Sequence, residues 1–303
     1  MNHPIWGIDL GGTKIEGIVL SSTGDLKPIL RTRIVSGASR GYRHILDRIA
    51  ALVEKMTREC GISPQKIGFG TPGALDPQSQ TMKNCNSTAL NGQPLQRDLE
   101  EMLKIPVVLA NDANCFALAE THWGVVKERA PGARAIFGII MGTGVGGGIV
   151  FHGKIWEGLH GIAGEWGHNF LDESGGPCYC GKTGCVETVL CGPGLETFYA
   201  NTSGRRLSLK EIVDRKRSGT DPAAEQTIAR LCHFFGKAVS VVTNILDPDV
   251  IVVGGGVGNI EEIYTEGRES LRKFIFNNRV DLPILKPSLG DSAGVYGAAA
   301  LVV

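Results

Sequence analysis

Residues 136–153 read IFGIIMGTGVGGGIVFHG, and they repeat the plan of residues 5–20, IWGIDLGGTKIEGIVL. Each stretch is a short apolar run, a glycine turn and a second apolar run, which is the pattern of a β-hairpin. A shift of 131 positions lays Gly7 on Gly138 and matches four further glycine or isoleucine positions. This internal repeat predicts two halves that share one α/β plan.

The glycines of the second copy also match a different motif. Gly142, Gly144 and Gly147 fit the dinucleotide-binding pattern G-x-G-x-x-G, which requires a helix directly after it. The residues that follow, 149–151, are Ile-Val-Phe and have the character of a strand. We therefore favour duplication over a dinucleotide site.

Composition restricts the class of partner. The chain has 303 residues, of which 42% are apolar and 20% charged, as is ordinary for a soluble globular protein. Lys plus Arg and Asp plus Glu are equal at 31 each, so no bulk charge attracts nucleic acid or an acidic membrane. The N-terminal residues have no leader-like pattern, and no apolar run is long enough for a membrane span. We expect a cytoplasmic protein with small-molecule partners.

The first glycine turn has the composition of a phosphate-binding loop. Gly11 and Gly12 let backbone N–H groups turn toward an anion, while Thr13 and Lys14 add a hydroxyl and a positive charge. A plain tight turn is the alternative. Asp9 favours the phosphate interpretation, because a carboxylate within an apolar strand is costly without a partner such as Mg²⁺ on a nucleotide.

Polar residues also follow other predicted strands. A helix over 42–60 and a strand over 67–70 precede Asn86, which belongs either to a ligand site or to a solvated loop. The strand over 107–110 ends in Asn111 and Asp112, and Asp112 is either a helix cap or a catalytic carboxylate. A capping residue at a strand end also lies where sheets present catalytic groups, so the two interpretations are compatible.

The C-terminal half ends in a third glycine cluster and a terminal helix. After helical patterns that reach Leu246, the sequence predicts a strand over 250–253 and then glycines 254–256, either a ligand loop or a plain turn. It then predicts a helix over 261–276, an edge strand over 283–286 and a helix from Ala293. We expect two domains: 1–120, joined by the C-terminal helix 291–303, and 121–290, which carries a metal loop over 164–187.

The metal loop reads GEWGHNFLDESGGPCYCGKTGCVE. His168 with Cys178, Cys180 and Cys185 is a complete tetrahedral set for a closed, structural Zn²⁺ site. Residues 176–183, GPCYCGKT, also fit the phosphate-loop formula, but polar residues precede them and Gly184 interrupts a helix start. Scattered reduced cysteines are a third interpretation. We favour zinc, whose filled ligand set excludes the flanking Glu165 and Glu187 as ligands, so that their carboxylates can accept hydrogen bonds from hydroxyls.

Taken together, these motifs resemble the ROK family of sugar kinases. The matching stretches, which span the whole chain, are DLGGTK (9–14), NDAN (111–114), GTGVGGG (142–148), EWGH (165–168), CYCGKTGCVE (178–187) and GGG (254–256). The resemblance implies the duplicated ribonuclease-H-like fold of actin-like ATPases, with two lobes around a central cleft. Two loops, NSTALNGQPL (86–95) and GEWGHNFL (164–171), look most like bacterial fructokinases of the manno(fructo)kinase type.

The resemblance also implies a role for each matched residue. Asp112 is the expected general base. The residues expected to hold sugar hydroxyls are Asn86, Asn111, Glu165, His168 and Glu187. Those expected to face MgATP are Asp9, Gly11, Gly12, Thr13, Lys14, Thr143 and Gly144, with Gly255 and Gly256 near the adenosine. His168 has two expected partners, zinc on one ring nitrogen and the sugar on the other.

The expected function is therefore ATP-dependent phosphorylation of the 6-hydroxyl of fructose, with mannose as a second substrate. A kinase of the same family for N-acetylhexosamine or glucose is the first alternative. A sugar-sensing repressor would need a DNA-binding module before Ile5, and a zinc-stapled interaction module would need neither Asp112 nor the glycine hairpins. A homodimer is expected from the resemblance.

Overall fold

The computed structural model describes residues 3–21 and 26–303. Its contacts divide the chain into two compact units. The first unit comprises Met1–Pro131, Gly148–Ala163 and Ser288–Val303, and the second comprises Gly132–Gly147 and Gly164–Pro287. The predicted domains, 1–120 with 291–303 and 121–290, stay a prediction; the compact units differ from them in placing Gly148–Ala163 with the N-terminal residues.

The strands follow the apolar runs of the sequence. In the first half they are β1 (Ile5–Leu10), β2 (Lys14–Leu20), β3 (Pro28–Val35), β4 (Ile67–Thr71), β5 (Ala74–Leu75), β6 (Met82–Lys83) and β7 (Val107–Asn111). In the second half they are β8 (Ala135–Met141), β9 (Val145–Phe151), β10 (Lys154–Ile155), β11 (Val250–Gly254) and β12 (Ile284–Leu285).

The helices connect and cover these strands. They are α1 (Tyr42–Cys60), α2 (Leu95–Leu103), α3 (Asp112–His122), α4 (Val125–Arg129), α5 (Val186–Leu190), α6 (Gly192–Ser203), α7 (Leu209–Ser218), α8 (Pro222–Leu246), α9 (Gly255–Gly258), α10 (Glu266–Leu271) and α11 (Ala293–Ala300). Within the described residues, no helix combines the length and the apolar character needed to cross a bilayer.

The first sheet brings three strand ends to one edge. Its order is β3-β2-β1-β4-β7, with β1 antiparallel to β2 and parallel to β4, and β4 parallel to β7. The carboxyl ends of β1, β4 and β7 therefore meet at the same edge, where ligands bind in open α/β sheets. Asp9 and Asn111 lie at this edge.

Helices pack on both faces of the first sheet. Apolar residues of α1 and α2, spaced for one helix face, form a core with the side chains of β1, β4 and β7. On the other face lies α11, which packs on β1 and β4. A Cβ atom on Gly7 or Gly68 would collide with the backbone of α11, so these glycines permit its close approach.

The second sheet repeats the first. Its order is β10-β9-β8-β11-β12, with β8, β11 and β12 parallel to one another. The shift of 131 positions found in the sequence lays β2, Lys14–Leu20, on β9, Val145–Phe151. This is the duplicated ribonuclease-H-like fold, as predicted. Because residues 145–151 form a strand, the dinucleotide motif is excluded there.

One predicted element differs from the structure. The helix expected over 261–276 is a 3₁₀ turn, Glu261–Ile263, followed by the short α10. The hydroxyl of Tyr264 donates to the carbonyl oxygens of Val253 and Gly258, and the amide of Phe276 donates to the Asn244 side chain. These tertiary bonds replace the helical pattern on which the prediction rested.

Candidate active site

Two carboxylates lie together at the carboxyl edge of the first sheet. Asp9 is the next-to-last residue of β1 and Asp112 begins α3, and their mutual repulsion contributes to the raised pKa of Asp9. Burial is the largest cause, and the repulsion of Asp112 and Glu16 adds to it, so that the pKa of Asp9 is about 6. A cation bound here would stabilise the ionised form of Asp9.

Two glycines leave room for the Asp9 carboxylate. A Cβ atom on Gly70 would lie 3.3 Å from its Oδ1 atom, and one on Gly294 would lie 3.1 Å from its Oδ2 atom. Gly294 lies in the first turn of α11, whose N-terminal end therefore faces Asp9. Side chains at either position would press on the carboxylate.

The first glycine turn is held by backbone and serine hydrogen bonds. The amide of Gly11 donates to the carbonyl of Lys14 over 3.0 Å, which closes the turn between β1 and β2. The buried Ser36 donates its hydroxyl to the carbonyl of Gly12 over 2.6 Å and its amide to that of Thr13 over 3.0 Å. The carbonyl oxygens of the turn thus accept hydrogen bonds from the protein, while the residues Gly12, Thr13 and Lys14 are exposed to solvent.

Asn86 is presented by a loop that Asn91 holds in shape. The Asn91 side chain accepts from the amide of Cys85 over 2.8 Å and donates to its carbonyl over 3.1 Å. Asn86, the next residue, is exposed. The same loop approaches the glycine turn, because a Cβ atom on Gly12 would lie 3.3 Å from Oγ of Ser87. No local pattern predicts the supporting role of Asn91.

Asp112 occupies the first turn of α3. The cap is Asn111, whose side chain accepts from the amide of Ala113 over 2.9 Å, and Oδ1 of Asp112 accepts from the same amide over 2.8 Å. The helix-cap interpretation therefore applies to Asn111, and the catalytic role of Asp112 stays a prediction. Asp112 is exposed to solvent. The protein atoms around its carboxyl nevertheless remove part of its hydration and raise its pKa, and the hydrogen bond from the Ala113 amide opposes that rise.

In the second unit, Glu187 bonds to the second glycine hairpin. Its Oε2 atom accepts from the amide of Val145 over 2.9 Å. A Cβ atom on Gly144 would lie 2.5 Å from the same oxygen, so glycine is needed for this approach. The turn itself is closed by the amide of Gly142, which donates to the carbonyl of Gly144 over 2.9 Å. Thr143, at the tip of the hairpin, is exposed.

The turn at the start of the metal loop packs on the same hairpin. Trp166, in the 3₁₀ turn Trp166–His168, donates its indole N–H to the carbonyl of Gly146 over 3.1 Å. A Cβ atom on Gly147 would lie 2.7 Å from the Trp166 ring. This packing fixes the segment that carries Glu165 and His168. The glycines of the second hairpin thus accommodate protein groups, a use that glycine spacing alone does not reveal.

The third glycine cluster begins α9 beside the end of β8. Gly255 has φ +83°, and a Cβ atom there would collide with the carbonyl oxygen of Met141. At Gly256 a Cβ atom would meet open space. Backbone approach by a ligand is therefore sterically possible at Gly256, whereas Gly255 is required by the turn itself.

The four predicted metal ligands are brought together. The ligand atoms of His168, Cys178, Cys180 and Cys185 all lie within 4.8 Å of one another. Nδ1 of His168 is 3.6 Å from Sγ of Cys178, and Sγ of Cys180 is 3.6 Å from Sγ of Cys185. Zn–S bonds of about 2.3 Å and Zn–N bonds of about 2.0 Å give tetrahedral edges of about 3.5–3.8 Å. The set therefore fits zinc.

The cysteines are electrostatically suited to a cation. Burial, together with the neighbouring thiols, raises the pKa of Cys185 to about 12. Crowded thiolates would repel one another, so the thiols stay protonated without a metal; a bound cation offsets that repulsion and favours their deprotonation. The segment doubles back through a β-bridge between Pro177 and Thr183, and no helix begins at Lys182. The phosphate-loop interpretation is thereby excluded.

Helix α8 holds the metal loop from its other side. Lys237 donates to the carbonyl of Leu171 over 3.0 Å, and Arg230 donates to Oγ of Ser174 over 2.7 Å. The Arg230 guanidinium lies over the rings of Phe198 and Phe234, 4.7 and 4.5 Å from their centroids. These supports come from residues far away in sequence, and no local pattern predicts them.

Tyr179, between two of the cysteines, was given no role by the sequence. Its hydroxyl lies 3.0 Å from Nε2 of His168, and the two rings meet edge to face with centroids 5.2 Å apart. Although most of the tyrosine is exposed, partial burial of its hydroxyl, followed by the charges of Glu187, the cysteines and Glu165, raises the pKa of Tyr179 to about 12. Its hydroxyl thus lies near both flanking carboxylates.

Each unit gathers a part of the predicted site. The first unit contains Asp9, Gly11, Gly12, Thr13, Lys14, Asn86, Asn111 and Asp112. The second unit contains Thr143, Gly144, Glu165, His168, Cys178, Cys180, Cys185, Glu187, Gly255 and Gly256. The predicted base and phosphate turn thus share a unit, and the predicted metal ligands share theirs with Glu165 and Glu187.

The two repeated sheets with glycine hairpins and a Cys₃His loop define an α/β protein of the duplicated ribonuclease-H-like class. The ROK family matches residues 5–303, and the chain belongs to that family. The N-acetyl-D-glucosamine kinase of Vibrio atlanticus (strain LGP32) is 36% identical over 306 residues, covering 98% of each chain.

Solved structures agree with the fold. A ROK hexokinase from Thermus thermophilus is 32% identical, with a TM-score of 0.85 over 98% of this chain and 97% of the other. A ROK family glucokinase from Streptomyces griseus, in complex with glucose and AMPPNP, is 28% identical, with a TM-score of 0.79 over 98% of both chains. The expected resemblance to fructokinases is not confirmed by these relatives.

Proposed function

We propose that the protein is an ATP-dependent sugar kinase that phosphorylates the 6-hydroxyl of a hexose. The main support is the carboxyl edge of the first sheet, where Asp112 and Asp9 lie together beside an exposed Gly-Gly-Thr-Lys turn. A base, a site for the cation of MgATP and a phosphate-binding turn are the parts that phosphoryl transfer requires. Kinase relatives over the whole chain support the same assignment.

In the proposed reaction, Asp112 accepts the proton of the attacking hydroxyl. The hydroxyl oxygen bonds to the γ-phosphorus of MgATP as the bond from that phosphorus to the β-phosphate oxygen breaks, which releases ADP. The raised pKa of Asp112 brings it closer to that of an effective base at neutral pH. Asp9 would hold the magnesium side of the nucleotide, and Gly11, Gly12, Thr13 and Lys14 its phosphates.

The metal loop would hold structural zinc through His168, Cys178, Cys180 and Cys185. A filled Cys₃His set has no open position for water, so the ion stabilises the loop and activates no nucleophile. The loop carries Glu187 and His168 in fixed positions, and Glu165 lies in the segment fixed by Trp166. These residues, with Asn86 and Asn111, are the proposed sugar contacts.

Fructose, with mannose as a second substrate, is the proposed hexose. The supporting observation is the amino-acid sequence of the loops NSTALNGQPL and GEWGHNFL. N-acetylglucosamine or glucose is a second candidate, because the relative from Vibrio atlanticus is named an N-acetyl-D-glucosamine kinase and the one from Streptomyces griseus a glucokinase. The homodimer and the cytoplasmic location stay predictions.

An ADP-release assay tests both the proposed kinase activity and the proposed sugar. Fructose, mannose, glucose and N-acetylglucosamine are compared with MgATP at equal concentration, and the phosphorylated carbon is identified by NMR. Turnover of any of them at carbon 6 supports the kinase, and the highest kcat/KM decides the substrate. Sugar binding without ADP release from any of the four would instead support a sugar-sensing regulator.

A further inference from the structure

The proposed sugar contact on His168 is already occupied by a side chain of the protein. Nε2 of His168 is 3.0 Å from the hydroxyl of Tyr179, while Nδ1 faces the cysteines. The proposed function assigns the same Nε2 atom to a sugar hydroxyl. The tyrosine hydroxyl and the sugar hydroxyl therefore compete for the same hydrogen-bonding position on His168.

The direction of the bond follows from the ligand set. A neutral imidazole that ligates a metal through Nδ1 carries its proton on Nε2. Nε2–H of His168 then donates to the Tyr179 hydroxyl oxygen, and a sugar oxygen in that position would accept in the same way. The tyrosine hydroxyl is chemically equivalent to the sugar hydroxyl as an acceptor.

Tyr179 is held weakly compared with its neighbours. It is 82% exposed, whereas the adjacent Cys178 is buried. The loop backbone on either side is fixed by the amide of Cys178, which donates to Lys182 over 2.8 Å, and by that of Gly181, which donates to Cys178 over 3.0 Å. The side chain can therefore rotate away without disturbing the metal ligands.

We propose that the Tyr179 hydroxyl is a stand-in for the sugar on Nε2 of His168. In the sugar-free protein it accepts the hydrogen bond, and the incoming hexose displaces it by rotation of the tyrosine side chain. This inference rests on the proposed function. Tyr179 is thereby a residue that sets sugar affinity, because each binding event must first break the His168–Tyr179 bond.

Removing the hydroxyl tests the competition. Tyr179→Phe keeps the ring and deletes the competing acceptor, so sugar should bind about two- to tenfold more tightly, the range of one net hydrogen bond. The probe is whichever of fructose, mannose, glucose and N-acetylglucosamine gives the most ADP release. Its Kd is measured by calorimetry, and its KM should fall by the same factor with kcat unchanged.

The control is Tyr42→Phe, which deletes a tyrosine hydroxyl bonded to Asp98 in the first unit. Its Kd for sugar should equal that of the wild type. Unchanged or weaker sugar binding by Tyr179→Phe, with the wild type active, overturns the inference alone. If the wild type phosphorylates none of the four sugars, the proposed function and this inference fall together.

A second readout follows the tyrosine itself. The chain has 5 tyrosines, so ring-labelled [¹³C]tyrosine gives few signals, and Tyr179→Phe identifies that of Tyr179. Adding sugar to zinc-loaded protein should move this signal toward that of a free tyrosine and leave the Tyr42 signal in place. An unmoved Tyr179 signal at saturating sugar would contradict displacement.

Discussion

The two glycine hairpins have the same strand–turn–strand plan and differ in the source of the negative charge beside them. The first, between β1 and β2, carries its own carboxylate, Asp9, and its turn is fixed by Ser36. The second, between β8 and β9, has Ile140 at the position equivalent to Asp9. It is contacted instead by Glu187 from the metal loop, which binds the amide of Val145. Duplication thus preserved the strands and changed the chemistry.

This difference separates the expected effects of substitutions in the two units. The first unit contains the proposed chemistry, since Asp112 and Asp9 meet at its sheet edge. The second unit contains the metal loop, whose carboxylate is tied to a hairpin. We expect loss of the proposed base in the first unit to affect mainly turnover, and changes in the metal loop of the second unit to affect zinc binding, stability and sugar affinity.

The largest expected effect is that of Asp112→Asn on turnover. Loss of the proposed base should lower kcat about 10²- to 10⁴-fold, with little change in sugar Kd because the amide keeps the size of the side chain. Steady-state ADP release and calorimetry measure the two quantities. Asp214→Asn, an exposed carboxylate on α7, is the control and should leave both unchanged. Near-normal kcat in Asp112→Asn would show that Asp112 is not the general base.

The next effect concerns the metal loop of the second unit. Cys180→Ser removes one of four ligands and should lower zinc affinity at least about 100-fold and reduce the melting temperature. Metal analysis after dialysis and thermal unfolding measure this. Cys60→Ser, a thiol of the first unit outside the cluster, should keep one equivalent of zinc. A full equivalent of zinc and normal stability in Cys180→Ser would contradict the structural-metal proposal.

Most of the fold was predictable from the sequence because its signals are local and repeated. The apolar runs predicted the strands, and the shift of 131 positions predicted the duplication. The helical spacing of the apolar residues in α1 predicted its buried face. The predicted helix over 261–276 was wrong because tertiary bonds to Tyr264 and Phe276 interrupt it. Such bonds join residues that lie apart in sequence.

The candidate site was predictable where residue type alone suggests chemistry. The cluster of His168 with three cysteines was named from sequence, and the structure brings its ligand atoms together, while the roles of Asn111 and Asp112 stay predictions. The supports were not predictable. Asn91, Arg230 and Tyr179 act through side-chain contacts that leave no periodic trace in the sequence.

Asp9→Asn tests the charge that distinguishes the first hairpin. The pKa of Asp9 in the folded protein, about 6, is above the ordinary value of 3.8. Its contribution to stability is therefore fully present below about pH 4 and is lost as the pH rises through about 6. In the absence of nucleotide, Asp9→Asn should raise the free energy of unfolding by about 1–3 kcal/mol at pH 8 and change it little at pH 4.

Urea unfolding at the two pH values measures this difference. Asp47→Asn, an exposed carboxylate on α1, is the control and should give the same small change at both. Destabilisation by Asp9→Asn at pH 8 would mean that the ionised carboxylate has a stabilising protein partner. The first hairpin would then need no cation, and its proposed role toward MgATP would lose its electrostatic basis.

The smallest expected effect compares one glycine from each hairpin. A methyl group on Gly144 meets Oε2 of Glu187 at 2.5 Å, whereas one on Gly12 meets the rotatable Ser87 hydroxyl at 3.3 Å. Gly144→Ala should displace Glu187 from the Val145 amide and weaken sugar binding about two- to tenfold, the value of one hydrogen bond. Gly12→Ala should leave sugar Kd within about twofold, because the Ser87 hydroxyl can rotate away. Equal Kd changes in the two variants, measured by calorimetry without nucleotide, would show that Glu187 does not link the second hairpin to the sugar.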